Sequence, residues 1–253
     1  INCPPTFLMY AFDASLAGAH TIDVLRRADF SIDLPGIEQA VAQHHPKIVF
    51  LTSPNNPDGS LIAREDLLRL LDLPVMIVLD EAYYEFSGAE SSVGLVPQHP
   101  NLIVLRTFSK WAGLAGMRIG YGVFPEWVMA HLWKLKQPYN VSVAADMAAR
   151  ASLEDLTLLR ERVQGLIQER ERLAQGVAAI PYLEELPSAA NFILCRVLKG
   201  SAAALRQRLA RDYGILIRHY NKPGLQDYIR ISIGVPGQTE RLLDALREIE
   251  RGL

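Results

Sequence analysis

Short, uninterrupted apolar runs separated by helical patterns fill the first half of the chain, and they constrain its fold more than any other feature. The runs from Lys47 to Thr52, Val75 to Leu79 and Leu102 to Leu105 carry apolar residues in succession rather than in alternation. That pattern belongs to strands covered on both faces. Between the first two, the stretch from Arg64 to Leu71 reads as a helix with Leu67, Leu68, Leu70 and Leu71 along one side. Alternation of this kind predicts βαβ units, an α/β class and a mainly parallel sheet sandwiched by helices. Pro125 opens a further helical stretch through Lys136, and Pro138 stops it.

The pattern then changes. From Val143 to Ala179 the chain is charged on one side and apolar at helical spacing (Leu156, Leu159, Val163, Leu166, Ile167, Leu173), with Pro181 at its end. One long bridging helix is expected there. Strands are predicted at Asn191 to Val197, Gly214 to Arg218 and Tyr228 to Ile233, with helices at about Ser201 to Arg211 and Thr239 to Gly252. The expected organisation is a large domain over 1–145 and, over 146–253, the bridging helix with a smaller C-terminal α+β domain. A length of 253 residues is compatible with one or two domains. Ile1 is not a start methionine, and Ile1 to Pro5 reads as a strand running into a turn, so the chain is expected to begin inside a domain.

Composition removes several classes of function. With 49% apolar and 21% charged residues the chain is neither disordered nor fibrous. Its 26 basic residues against 28 acidic ones remove the electrostatic reason to expect a nucleic-acid or anionic-membrane partner. Cys3 and Cys195 form no disulfide or zinc pattern and are expected to be reduced thiols. No apolar run approaches a bilayer span and no signal-peptide pattern opens the chain, so a cytoplasmic location is expected. His44 and His45 are adjacent, cannot share a helix face and read as a solvated loop.

Four segments carry the chemistry: Ser53-Pro54-Asn55-Asn56-Pro57-Asp58-Gly59, Asp80-Glu81-Ala82-Tyr83, Arg106-Thr107-Phe108-Ser109-Lys110 and Gly116-Met117-Arg118-Ile119-Gly120. Each is expected just past the C-terminal end of a parallel strand, where open α/β sheets bind ligands. Taken singly, each has an ordinary explanation. Asn-Pro-Asp-Gly is turn chemistry, and a strand ending in Asp-Glu also resembles a metal-holding ATPase carboxylate. No phosphate-binding G-x-x-x-x-G-K-[ST] loop and no G-x-G-x-x-G fingerprint occurs.

In this order the four segments resemble the fold-type I pyridoxal-phosphate (PLP) aminotransferases. With Cys3-Pro4-Pro5-Thr6 ahead of them and Leu114-Ala115-Gly116-Met117-Arg118 closing the set, the wording is close to the histidinol-phosphate aminotransferase family. The resemblance runs from Asn2 nearly to the C-terminus. It implies that Lys110 forms the Schiff base with PLP and then moves the proton between substrate Cα and cofactor C4′. A carboxylate beside the pyridine nitrogen keeps that ring protonated, the role the resemblance gives Asp80. Arg118, eight positions after Lys110, takes the place of the phosphate-binding arginine, with hydroxyls from Thr107 and Ser109 nearby. Asn56 and Tyr83 match donors to the phenolic oxygen of the cofactor, and Phe7 matches the aromatic stacked on its ring, although core packing also explains a Phe. Arg230 matches the arginine that grips the substrate anion. Arg218 and Asn191, on neighbouring predicted strands, either assist it or are surface residues.

The reaction implied is transamination of histidinol phosphate with 2-oxoglutarate, giving imidazole-acetol phosphate and glutamate by a ping-pong cycle in a homodimer. Trp127, Met129, Leu132, Trp133 and Leu135 form an apolar stripe suited to the dimer interface. Two alternatives stay open: a threonine-phosphate decarboxylase-like PLP enzyme, and an inactive fragment or dimerising scaffold. The chain departs from the family pattern at Asp58, where Thr is usual; Asp suits a turn, and little effect is expected. Relatives also carry a stretch ahead of Pro-Pro-Thr with a helix N-terminus for the cofactor phosphate and an aromatic donated across the dimer. If this chain were the whole molecule, part of the phosphate cup would be absent.

Overall fold

The computed structural model describes residues 1–251. Strands β1 (Ile48–Thr52), β2 (Met76–Asp80), β3 (Leu102–Thr107) and β4 (Gly120–Val123) form one sheet in that order. The first three are parallel, and β4 returns antiparallel along β3. Val49, Ile77, Leu102 and Val104, all on one face of the sheet, are wholly shielded from solvent; on the other face Val78 and Ile103 are buried, whereas Ile48 at the β1 edge is exposed. Helices α2 (Leu34–His44) and α3 (Arg64–Leu71) supply Ile37, Val41, Leu67 and Leu70 to the same core. The register sets Thr52 beside Asp80 and Asp80 beside Leu105, so β1 and β2 end level while β3 runs two residues further, to Thr107. A short helix, α1 (Met9–Leu16), lies ahead of them in sequence and turns Tyr10 inward.

A second sheet follows helices α4 (Glu126–Leu135) and α5 (Val143–Glu154) and the 23-residue α6 (Leu156–Ala178). Its strands are β5 (Leu183–Leu186), β6 (Phe192–Val197), β7 (Arg218–His219) and β8 (Tyr228–Ser232), antiparallel in the order β5-β6-β8-β7. Helices α7 (Ala202–Tyr213) and α8 (Pro236–Glu250) pack Leu205, Leu209, Leu242 and Leu246 against it. A separate cluster of Tyr83, Phe86, Val163 and Phe192 joins the two sheets. The buried guanidinium of Arg170 on α6 adds to this junction: its Nη1 donates to Phe86 O and Ala190 O, both at 3.0 Å.

Several expectations are corrected. The single helix over Val143 to Ala179 is two helices, because Asp155 leaves helical geometry (φ −119°, ψ 67°) and its carboxylate accepts from Leu158 N at 3.2 Å. An N-cap of this kind starts a new helix. The strand expected from Gly214 begins only at Arg218: Gly214 closes α7 with φ 65°, so the next residues are spent on the return to the sheet. Strands β4 and β5 have no counterpart among the expected elements; their sequences, Gly-Tyr-Gly-Val and Leu-Glu-Glu-Leu, lack an apolar run. Helix α8 begins at Pro236 rather than Thr239, and its expected end at Gly252 lies outside the described residues. Among the described residues no helix is long and apolar enough to cross a membrane.

Candidate cofactor and substrate site

A cavity of about 280 Å³ opens at the C-terminal ends of β1, β2 and β3. Phe7, Asn56, Asp80, Tyr83, Thr107, Ser109, Lys110 and Arg118 all line it, together with Tyr10 and Thr52. Every residue expected at the cofactor therefore reaches one space, although they come from five separate stretches of chain. A larger cavity of about 820 Å³ lies elsewhere, between α1 and the edge of β1. Its lining is mostly apolar, and Tyr10 and Leu105 form part of the wall between the two.

Asp80 is the last residue of β2. Its Oδ2 accepts from the Tyr10 hydroxyl at 2.6 Å and its Oδ1 from Ala82 N at 2.9 Å. Burial pushes its carboxyl above the ordinary range, while those two donors and the charge of Lys110 pull it back. The Lys110 amine stands 5.5 Å above the Tyr83 ring centroid. Burial lowers its proton affinity, and Arg230 and Arg118 lower it further. Tyr83 is held edge-on to Phe192 with centroids 5.1 Å apart, and burial keeps its phenol protonated.

Arg118 ends a short turn with φ 54°, its Nη1 donating to Ala115 O at 2.9 Å, which leaves the rest of the guanidinium toward the cavity. Thr107 Oγ1 accepts from Ser109 N at 3.0 Å and so shapes the turn that carries Lys110. Phe7 is 43% exposed and meets Tyr10 edge-on. A packed core phenylalanine would not be so open. The segment 116–120 does not follow a parallel strand as expected; it precedes β4, the antiparallel member, because the chain turns back immediately after Lys110.

The second sheet contributes Arg230, from β8. Its Nη1 donates to Asn56 Oδ1 at 2.6 Å and its guanidinium lies 4.8 Å from the Phe192 ring centroid. Arg230 does not itself line the cavity and meets it through Asn56, which does; Arg218 is paired with Arg230 across β7 and β8 but stacks toward Tyr220, and neither it nor Asn191 lines the cavity. Asn191 precedes β6, where its carbonyl accepts from Ile233 N.

Asp58 corrects the sequence reading. Rather than an indifferent turn residue, it is 1% exposed, accepts from Asn55 Nδ2 and Ser60 N, and faces the charge of buried Arg26. Asn55 in turn donates to Pro5 O and accepts from Thr6 Oγ1, so this knot ties the Pro-Pro-Thr segment to the loop carrying Asn56.

The profile of the family described as aminotransferase class I and II matches residues 1–246. The chain belongs to the class I and II aminotransferases. Histidinol-phosphate aminotransferase of Nicotiana tabacum, a chloroplastic protein, is 53% identical over 98% of this chain and 60% of its own length. The histidinol-phosphate aminotransferase of Roseiflexus castenholzii is also 53% identical, over 98% of this chain and 67% of its own length. The chain thus spans about 60% to 67% of the length of these curated relatives. Among solved structures, histidinol-phosphate aminotransferase from Sinorhizobium meliloti in complex with pyridoxal-5'-phosphate superposes with a TM-score of 0.91 at 31% identity, covering 99% of this chain and 70% of that one.

Class I and II aminotransferases use PLP, and the donor set around the cavity suits that group. A guanidinium and two hydroxyls match a phosphate, a carboxylate matches a ring N–H, and an amine matches an aldehyde. Two residues of this aminotransferase site were not singled out in its sequence, Tyr10 and Thr52. Tyr10 stands three positions after Phe7, at the start of α1, and that closeness to a residue already singled out is the signal that could have found it.

Proposed function

We propose that the chain carries the transamination of histidinol phosphate with 2-oxoglutarate to imidazole-acetol phosphate and glutamate. The observation that supports this best is the convergence of Lys110, Asp80 and Arg118 on one cavity, with Arg230 at its rim. Identity of 53% to relatives named for that reaction favours this substrate over other amino compounds.

Bound there, PLP would supply an electron sink for the bond broken at the substrate Cα. The rest of the chemistry falls to side chains. Lys110, its amine made easier to deprotonate by burial and by two arginines, would hold the cofactor aldehyde and serve as the base that takes the proton from substrate Cα. Asp80 would accept from the ring N–H, Asn56 and Tyr83 would donate to the phenolic oxygen, and Phe7 would cover the ring. Arg118, Thr107 and Ser109 would hold the phosphate. Arg230 takes the substrate anion, the phosphate of histidinol phosphate in one half-reaction and the carboxylate of 2-oxoglutarate or glutamate in the other. Its contact with Asn56 keeps it extended toward the cavity before that anion arrives. Arg218 and Asn191, outside the cavity wall, act at most through the strands that carry Arg230.

The same reading includes a homodimer, supported by Trp127, Trp133 and Leu135, which α4 leaves exposed, a cytoplasmic location, and a domain division at residue 145. The test is a PLP titration of the purified chain. A visible absorption band should form and then bleach on adding histidinol phosphate, and Lys110→Ala should abolish both the band and product formation. Persistence of the band with histidinol phosphate, together with carbon dioxide release from threonine phosphate while the band is retained, would move the assignment to the decarboxylase. No band at all would leave a scaffold.

A further inference from the structure

Tyr10 is buried in α1, yet it is placed by more than packing. Its ring stacks on Phe50 with centroids 5.1 Å apart and planes 12° apart, and meets Phe7 edge-on at 5.5 Å. That clamp delivers the hydroxyl to a point 2.6 Å from Asp80 Oδ2 and 2.8 Å from Thr52 Oγ1. An ionised carboxylate can only accept, so the tyrosine proton lies on the bond to Asp80 and the Thr52 hydroxyl donates to the phenolic oxygen. With Ala82 N on Oδ1, each carboxylate oxygen has one fixed donor and at least one lone pair to spare. Two donors on different oxygens fix the plane of the carboxylate, which would otherwise rotate freely about its last bond.

We propose that Tyr10 is a positioning residue for Asp80, holding that carboxylate in one orientation and in its ionised form as the acceptor for a ring N–H of the bound cofactor. The proposal rests on the reading of Asp80 given above. Its physical core, control of Asp80 by Tyr10, concerns this chain alone. The groups facing Asp80 pull in both directions: burial and Glu81 favour its protonated form, whereas Tyr10, the Ala82 amide and Lys110 favour the carboxylate. Tyr83 stands nearby as a neutral phenol. Tyr10 itself cannot compete for the negative charge, since burial and the adjacent Asp80 raise its own ionisation far beyond the working range.

The test uses the full chain carrying aspartate labelled with carbon-13 at the carboxyl, without PLP, and follows the Asp80 signal against pH. Loss of one resonance in Asp80→Asn assigns it. Tyr10→Phe, which keeps the ring and its stacking, should raise the Asp80 midpoint by about one pH unit, and Thr52→Val by less. In parallel, Tyr10→Phe should weaken PLP binding about tenfold at neutral pH, with the acid limb of binding moving upward by the same amount as the midpoint. An unchanged midpoint and unchanged affinity would reduce Tyr10 to a core residue and overturn the proposal. If the parent bound no PLP while the midpoint still moved, the cofactor reading would fall and the control of Asp80 by Tyr10 would stand. Should Tyr10→Phe fail to fold, the Thr52→Val midpoint decides, an unmoved value overturning the relay.

Discussion

Lys110 shows how a single side chain carries opposing demands. Burial, Arg230 and Arg118 all lower its proton affinity, so the charged amine costs the folded chain stability. That cost is complete below the folded pKa and disappears as pH rises past it toward the free-lysine value of about 10.4. Lys110→Met should therefore raise the melting temperature by about 1–2 °C at pH 7, a modest figure because water screens the half-exposed amine, with the gain vanishing by about pH 10–11. Differential scanning calorimetry at several pH values checks it. Asp58 behaves in the opposite sense. Asp58→Ala should cost about 1–3 kcal/mol in urea denaturation, since it removes the negative charge that buried Arg26 faces and leaves Ser60 N and one of the two Asn55 amide protons without an acceptor. Both residues stand in segments the sequence singles out, and Lys110 does line the expected cavity, but nothing in the sequence marks Asp58 as buried. A turn motif says nothing about burial, and Arg26 lies far from Asp58 in sequence.

Among elements, those read correctly carry a strong apolar pattern, whether the unbroken runs of β1 to β3, the helical period of α3 or the alternation of β8. Strand β4 was invisible because Gly120 and Gly122 replace side chains for want of room: a Cβ on Gly120 would stand 2.7 Å from Arg106 O, and one on Gly122 would overlap the Phe124 ring. Close approach, not strand propensity, chose those residues. The break between α5 and α6 was missed because an apolar helical period continues across it while one capping carboxylate interrupts the backbone. Asp155→Ala should cost about 1 kcal/mol by removing the bond to Leu158 N. The loss should appear as faster amide exchange confined to the first turn of α6.

At the scale of the whole molecule, the site exists only while the two sheets keep their relation, since Arg230 belongs to the second sheet and Asn56 to the loop that follows β1 of the first. Arg170 is the buried polar tie that enforces it. Arg170→Met keeps the length of the stem but strips the donor from Phe86 O and Ala190 O, and should cost about 2–3 kcal/mol. Hydrogen exchange should then rise at the junction before it rises in either sheet core. This junction was not legible in the sequence. Periodicity reports which residues are buried, not which burials meet across 84 positions, as those of Phe86 and Arg170 do.

Gly59 carries a consequence for how such a chain can diverge. It adopts φ 81°, a Cβ there would run into Ser188 Oγ and stand 3.0 Å from Ser188 Cα, and its carbonyl accepts from Ala189 N at 2.9 Å. A permissive change at Ser188 would clear the hydroxyl but not the backbone behind it, and would do nothing for the left-handed conformation. Neutral drift therefore has no two-step route through this pair: position 59 is frozen whatever stands at 188, and the serine is itself held, donating to Phe192 O at 2.6 Å and accepting from Ala190 N at 3.1 Å, so descendants of this sequence should keep the two together.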